Sequence, residues 1–574
     1  MDHLEVEWQF DAVHLAPVER WLRGHAGNGQ VSVAAGAGTS LVDTYVDTED
    51  WRFYRAGYSL RARRARGHTE ATLKAFASPV DAMRARREIA EELPSDDPEA
   101  ILRAAGQLGD RVRAVAGRAA LRQLFEVRTR RRTFILAVDG ESTGEIALDE
   151  TTIPVGDGAP ARLRRVEVEV TEGAVLAARP FVDALRAACG LQPAAVSKFE
   201  AGLISSGLHP EESIDLGPTT VEPTSSVGEV AFAVMRSHFR TFLAKEPGAR
   251  MGDDPEELHD MRVATRRLRA AIALFEPALP VRIARLMDEL GWVAQGLGAV
   301  RDLDVQLEQL DAWIATSPDV DRPALGALRG VLEESRAVAR VQLLATLDTR
   351  RYSGLTERFT RLLREGPLRR SAASRAPILL SAAELVEKRY RAVRKAGDHL
   401  SKNSAAADFH RLRIRCKRFR YALEFIENVY PHQTDRLVRR MVSVQDILGT
   451  HQDAVVAVEH LRGMLATHGK TLSPQTIFAM GEVAQRYAGE AASLRARLPR
   501  AYAHLRGRPW KEFRRKMERA RDERPLLGRP SGRADEQPLA ERSPEPGVEP
   551  SLTGRVEDGS GESDIGAADL AGNG

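Results

Sequence analysis

Residues 4–10 read Leu-Glu-Val-Glu-Trp-Gln-Phe, and their alternation decides the fold of the first third of the chain. Successive side chains of a strand point to opposite faces, so Glu5, Glu7 and Gln9 share one face while Leu4, Val6, Trp8 and Phe10 take the other. The same period-two exchange returns at 44–49, 58–65, 70–76, 125–136, 144–150 and 165–170, with Gly, Asp or Pro between many of the stretches. Helical pieces interrupt them around 18–22, 98–108 and 174–189. Together they predict an antiparallel α+β unit.

Arg61 and Arg63 share a face, as do Arg128 and Arg130, and Glu167 and Glu169. Leu60, Val127, Val166, Val168 and Val170 form the opposite, apolar faces, which need a cover. One charged strand face would simply meet water. Four of them, two acidic and two basic, would line a single interior if the sheet closed. Arginine forks and lysine ammonium groups match a chain of phosphates, while hard Mg2+ or Mn2+ prefers carboxylate oxygens. Metal bridging with a positioned water is what phosphoryl transfer requires.

Five hundred and seventy-four residues exceed one hydrophobic core, and 43% apolar with 29% charged residues excludes a wholly disordered or collagen-like chain. Cys189 and Cys416 cannot build a disulfide framework or a zinc site, which points to a reducing compartment. The start, MDHLEVEWQF, lacks a secretory pattern, and no apolar run approaches the roughly 20 residues of a membrane span. The expected location is cytoplasmic, with no membrane partner.

The net charge of +3 hides a division: −7 over 1–225, +16 over 226–520, 0 over 521–540 and −6 over 541–574. The basic block implies a polyanionic partner. Residues 209–225 are polar, proline-bearing and aperiodic, and read as a linker. From 227 to 517 the period becomes helical. There His259, Arg262, Arg266, Arg267 and Arg269 recur as His410, Arg413, Lys417, Arg418 and Arg420, each displaced by 151 residues. Leu297-Gly298 and Asp302 recur as Leu448-Gly449 and Asp453 at the same displacement, indicating a duplicated helical bundle. On a helix His259, Arg262, Arg266 and Arg269 fall within about a quarter of the circumference, and so do their four counterparts. Two such stripes could face each other across a groove and neutralise a long polyanion. The final stretch is too poor in large apolar residues to fold.

Glu5-x-Glu7, the run from Tyr45-Val46-Asp47-Thr48 to Leu60-Arg61-Ala62-Arg63, Thr72-Leu73-Lys74, Leu148-Asp149-Glu150, Val166-Glu167-Val168-Glu169 and Ser197-Lys198 resemble the CYTH domain of triphosphate tunnel metalloenzymes. His259 to Arg269, Leu297 to Val305, His410 to Tyr421 and Leu448 to Asp453 resemble the CHAD domain, which is often fused behind CYTH. The resemblance implies an eight-stranded antiparallel β tunnel over 1–205, a linker over 206–226, an all-α duplicated four-helix bundle over 227–517 and a disordered tail over 518–574.

It further implies a metal-dependent triphosphatase with Mg2+ or Mn2+ as cofactor, and inorganic triphosphate and inorganic polyphosphate as partners. Glu5, Glu7, Asp149, Glu167 and Glu169 would hold metal, and Glu5, Glu7 and Gln9 would be the catalytic residues. Arg61, Arg63, Lys74, Arg86, Arg130 and Lys198 would grip phosphates. His259, Arg262, Arg266, Arg269, His410, Arg413, Lys417 and Arg420 would bind polyphosphate, with histidine protonation raising affinity at lower pH. Gln9 stands where the family has Lys and brings no charge, so Gln9→Lys is expected to raise the rate or tighten triphosphate binding. A noncatalytic polyphosphate-binding or granule-associated protein is the competing reading. Action on thiamine triphosphate, ATP or RNA ends is another. Nucleic acid is disfavoured, because the basic stripes lack interleaved aromatics.

Overall fold

The computed structural model describes residues 2–25, 31–156, 158–210, 214–430, 434–470, 472–505 and 508–522. It divides into two compact units, Met1–Ile214 with Ala244–Glu257, and Asp215–Leu243 with Leu258 onward.

The first unit is a closed antiparallel barrel. Its strands are β1 Asp2–Asp11, β2 Val31–Thr48, β3 Tyr58–Ala65, β4 His68–Ala75, β5 Met83–Leu93, β6 Leu121–Val138, β7 Glu141–Val155 and β8 Gly158–Val170, with a two-residue β9 at Gln192–Pro193. The order is β5-β4-β3-β2-β6-β7-β8-β1-β9, and pairing of β1 with β5 shuts the barrel. Closure removes the exposed strand edges, and registered neighbours share a face. The register therefore gathers the charged residues: Glu5 opposes Arg86 and Glu7 opposes Arg84 on one side of β1, while Glu7 opposes Glu169 and Gln9 opposes Glu167 on the other.

The outward faces are apolar and covered. Helices α1 Leu15–Gly24 and, further on, α5 Val175–Cys189 bury Trp8, Phe10, Leu136, Leu148, Val166 and Val168. On another side, α2 Arg52–Arg55, α3 Pro98–Arg103 and α4 Gln107–Ala116 cover Leu60, Ala62, Leu73 and Ile89. Each large aliphatic so buried contributes about 1.5–3 kcal/mol. Helix α6 Lys198–Ser205 differs, because it packs Phe199 on the inner-face residues Tyr45, Phe125, Val127 and Ile153. Its start is fixed by Ser197, whose side chain accepts from the Glu200 amide while the Glu200 carboxylate accepts from the Ser197 amide.

The second unit is helical. Helices α7 Val227–Met251, α8 Pro255–Phe275, α9 Ile283–Thr316 and α10 Arg322–Leu347 are repeated as α13 Ile378–Gly397, α14 Ala406–Glu424, α15 Asp435–His468 and α16 Pro474–Ala503, with starts displaced by 151 or 152 residues. Each set is followed by a further helix, α11 Arg350–Glu365 and α17 Arg508–Asp522, and a single short turn, α12 Ala372–Arg375, lies between the sets. The amphipathic spacing of α11, which buries Tyr352, Leu355, Phe359, Leu362 and Leu363, shows why a fifth helix docks. Helix α17 continues to Asp522, into the stretch expected to be tail; the rest of that stretch lies outside the described residues. Among the described residues no helix is long and apolar enough to cross a membrane.

Candidate functional site

The barrel encloses about 600 Å³. Ten residues singled out from sequence line it together: Glu5, Glu7 and Gln9 from β1, Arg61 and Arg63 from β3, Lys74 from β4, Arg86 from β5, Glu167 and Glu169 from β8, and Lys198 at the start of α6. Glu5 accepts from Lys74 Nζ at 2.7 Å and from Arg86 Nε at 3.1 Å. Glu7 Oε1 accepts from Arg86 Nη2 and, at 2.8 Å, from Gln9 Nε2. Glu167 accepts from Lys198 Nζ at 2.8 Å and Arg131 Nη2 at 2.6 Å.

Two expected positions are corrected. Asp149 does not line the cavity but is fully buried, accepting from Arg131 Nε at 2.9 Å and Lys198 Nζ at 2.5 Å; it holds the two cations in place. Arg130 stands exposed on the outer wall, and its neighbour Arg131 occupies the interior. The alternation argument took the side of Val127 as outward. In fact Val127 points inward onto α6, and Arg131, four residues further along β6, lines the cavity. Sequence reasoning also missed Glu88, Glu145 and Asp43. Each sits opposite a basic residue or within reach of one. Asp43 takes both Arg63 Nε (2.6 Å) and Nη2 (2.9 Å) and is registered with Arg63 across β2–β3, a match that strand pairing would have revealed.

The charges are strongly coupled to their surroundings. Burial pushes the Asp43 carboxyl up, but Arg63 and Arg61 outweigh it and hold it well below the usual range. Glu88 is likewise held at about 2 by Lys74 and Arg61 against its burial, and Glu167 falls well below its ordinary value under Lys198 and Arg131. Glu169 behaves oppositely: burial, then the nearby Glu5 charge, raises it. A carboxyl held against like charge in a set of hard oxygen donors is chemistry that a divalent cation relieves. Glu5, Glu7 and Glu169 all line this cavity and offer carboxylate oxygens, the donor type that Mg2+ and Mn2+ prefer. In the arrangement described, Lys74 and Arg86 engage the first two, and among the described residues no three acidic or other ligand side chains stand together as a metal site.

In the second unit the two basic stripes are brought side by side. Arg266 and Arg267 of α8 and Arg420 of α14 lie 5.8, 5.4 and 5.5 Å from the Tyr421 ring centre. Arg267 and Arg420 both reach Glu424 at 3.3 Å. The stripes are not uniform surface: His259, Arg262, Arg413 and Lys417 are buried, whereas Arg266, Arg269, His410 and Arg420 are partly exposed. Burial, then the Arg301 and Arg266 charges, lowers His259 to about 4. Any gain in affinity from protonating His259 at lower pH is thereby displaced further into the acid range.

Family models match this chain twice, the CYTH domain over residues 30–201 and the CHAD domain over 233–462. Two curated Mycobacterium tuberculosis proteins, the uncharacterized MT2285 of strain CDC 1551 and Rv2226 of strain H37Rv, are each 29% identical over 217 residues, 36% of this chain. The match spans 40% of the length of those relatives. Among solved structures, the CHAD domain of the plant Ricinus communis is 26% identical, with a TM-score of 0.42, covering 52% of this chain and 98% of that one. The Hippeastrum protein HpAC1, described as a putative adenylyl cyclase with a dominant triphosphatase activity, is 16% identical with a TM-score of 0.28, covering 36% of this chain and 99% of its own. The barrel thus carries a CYTH domain over residues 30–201, and the duplicated helices that follow it carry a CHAD domain over 233–462.

Proposed function

We propose that the barrel hydrolyses inorganic triphosphate or a closely related triphosphate with Mg2+ or Mn2+, and that the helical unit binds inorganic polyphosphate. The observation that carries the first part is one enclosed interior in which Arg61, Arg63, Lys74, Arg86, Arg131 and Lys198 face carboxylates from β1, β5 and β8. Such an interior is neutralised internally when empty of ligand. A triphosphate takes over the cations, and the released carboxylates become free to hold a divalent ion.

Glu5, Glu7 and Glu169 would hold the metal. When bound, the ion supplies charge neutralisation at the phosphates and activates water. The chain's own part is positional. Arg61, Arg63 and Arg131 line the cavity as phosphate grips, Asp43 fixes Arg63 with two hydrogen bonds, and Asp149 fixes Arg131 and Lys198. Enclosure by the barrel limits bulk water around the reacting group.

Assay of triphosphate, polyphosphate, ATP and thiamine triphosphate with Mg2+ and Mn2+ tests this reading. The expected result is phosphate release from triphosphate that chelation abolishes. No release from any of the four would leave the noncatalytic binding reading. The β6 placement gives a sharper expectation. Arg131→Ala should lower kcat/KM for triphosphate by about 10- to 100-fold, the loss of one charge-assisted contact of about 1.5–3 kcal/mol. Arg130→Ala should leave it unchanged, and equal losses in both would reject the assignment of the inner face.

For the helical unit, the juxtaposed stripes around Tyr421 support polyanion binding. Since His259 is lowered to about 4, it carries no charge between pH 8 and pH 6. Wild type and His259→Gln should therefore show the same pH dependence of polyphosphate affinity over that interval. A wild-type gain at pH 6 that the variant loses would restore a role for histidine protonation.

A further inference from the structure

Position 9 of the barrel's first strand carries an amide among charges, and a guanidinium that no motif had marked stands behind it. Arg84, on β5, is 5% exposed and does not line the cavity. Its Nη1 donates to Gln9 Oε1 at 2.8 Å, and Gln9 Nε2 donates to Glu7 Oε1 at 2.8 Å. Among the described residues no carboxylate lies within ion-pair distance of Arg84, and its buried Nε has no hydrogen-bond partner. A buried guanidinium without an ion pair is costly to keep. Here its hydrogen bond decides which way an otherwise two-faced amide points: with Oε1 held by Arg84, the NH2 end must face Glu7.

We propose that Arg84 is a positioning residue, which sets the Gln9 amide so that it donates to Glu7 and thereby returns to the acidic end, from the neighbouring strand, the positive charge that position 9 lacks. The inference rests on the assignment of Glu7 as a metal-holding carboxylate. It also reverses the sign expected for Gln9→Lys from sequence. An ammonium group at position 9 would displace an amide that now accepts from Arg84, and would set two buried cations against each other. Lysine should be tolerated only where Arg84 is absent.

The test is a double-mutant cycle on the full chain with Gln9→Lys, Arg84→Met and both together, and with Arg84→Lys as the conservative variant. Three quantities are measured: the thermal midpoint without metal, Mn2+ affinity by electron paramagnetic resonance with a non-hydrolysable triphosphate analogue bound, and triphosphate turnover. Arg84→Met should weaken Mn2+ binding about tenfold with its far-ultraviolet circular dichroism unchanged, and Arg84→Lys should recover part of the loss. Gln9→Lys alone should lower both the midpoint and Mn2+ affinity. The double variant should return to within about threefold of wild-type Mn2+ affinity.

Losses that simply multiply, or an Arg84→Met variant that binds Mn2+ as the wild type does, overturn the proposal. Coupling in the midpoint but not in Mn2+ affinity reduces Arg84 to a structural residue and overturns it too. A wild type that binds Mn2+ with the expected coupling yet releases no phosphate rejects the hydrolase reading and leaves Arg84 in its role. A wild type that binds no Mn2+ even with a non-hydrolysable triphosphate analogue present overturns both.

Discussion

Glu7→Gln and Glu169→Gln are each expected to cut metal-dependent triphosphate hydrolysis by about 10³-fold, because each removes a carboxylate ligand from a site where the metal supplies several kcal/mol of transition-state stabilisation. The two residues oppose each other across β1 and β8. The fold should survive both changes. Gln keeps the shape of Glu, and Arg86 retains Glu5 as a partner at 3.1 Å when Glu7 loses its charge. Glu169 is raised by burial and by Glu5, so its neutral isostere should leave the thermal midpoint equal to or above that of the wild type. Turnover with Mg2+ and Mn2+, alongside thermal melts, checks the pair. Unchanged turnover in both variants would remove the acidic end from the chemistry.

The second large effect is expected in the helical unit. Replacing Arg266, Arg269 and Arg420 together by Gln should weaken polyphosphate binding by at least 100-fold and flatten its dependence on salt, since fewer counterions are displaced from the polyanion. These three are the partly exposed arginines of the stripes. The choice matters, because Arg262, Arg413 and Lys417 are buried and their truncation would mix lost binding with lost packing. Triphosphate hydrolysis by the triple variant should match the wild type. Binding titrations at several salt concentrations and a turnover assay decide it; a matched loss of hydrolysis in a folded variant would mean the two activities are not separable.

Much of this was legible in the primary structure because it depends on local period. The alternation in 4–10 and 165–170 put Glu5, Glu7, Glu167 and Glu169 on charged faces, and the valines beside them needed a cover that α1 and α5 supply. The displacement of 151 residues marked the helical duplication before any helix was seen.

The tertiary structure decided what period alone leaves open. In β6 all six residues 128–133 are polar, so alternation has no internal reference. The β6–β7 pairing is offset by a bulge at Leu136/Ala137, near the two-residue turn Asp139-Gly140. Counted from that turn without the bulge, Arg130 would oppose Asp149; the extra residue brings Arg131 there instead. A one-residue slip exchanges the faces of a whole strand, so the choice between two adjacent arginines is a matter of register. Likewise Arg84 reaches Gln9 from 75 positions along the chain, through the β1–β5 contact that closes the barrel. Sequence by itself determined the two domains' architectures and the charge each interior or stripe carries, since these follow from nearest-neighbour periodicity. Which side of β6 faces inward, which members of the basic stripes are buried, and which cation meets which carboxylate followed only from barrel closure and helix packing, because all depend on contacts between residues far apart in the chain.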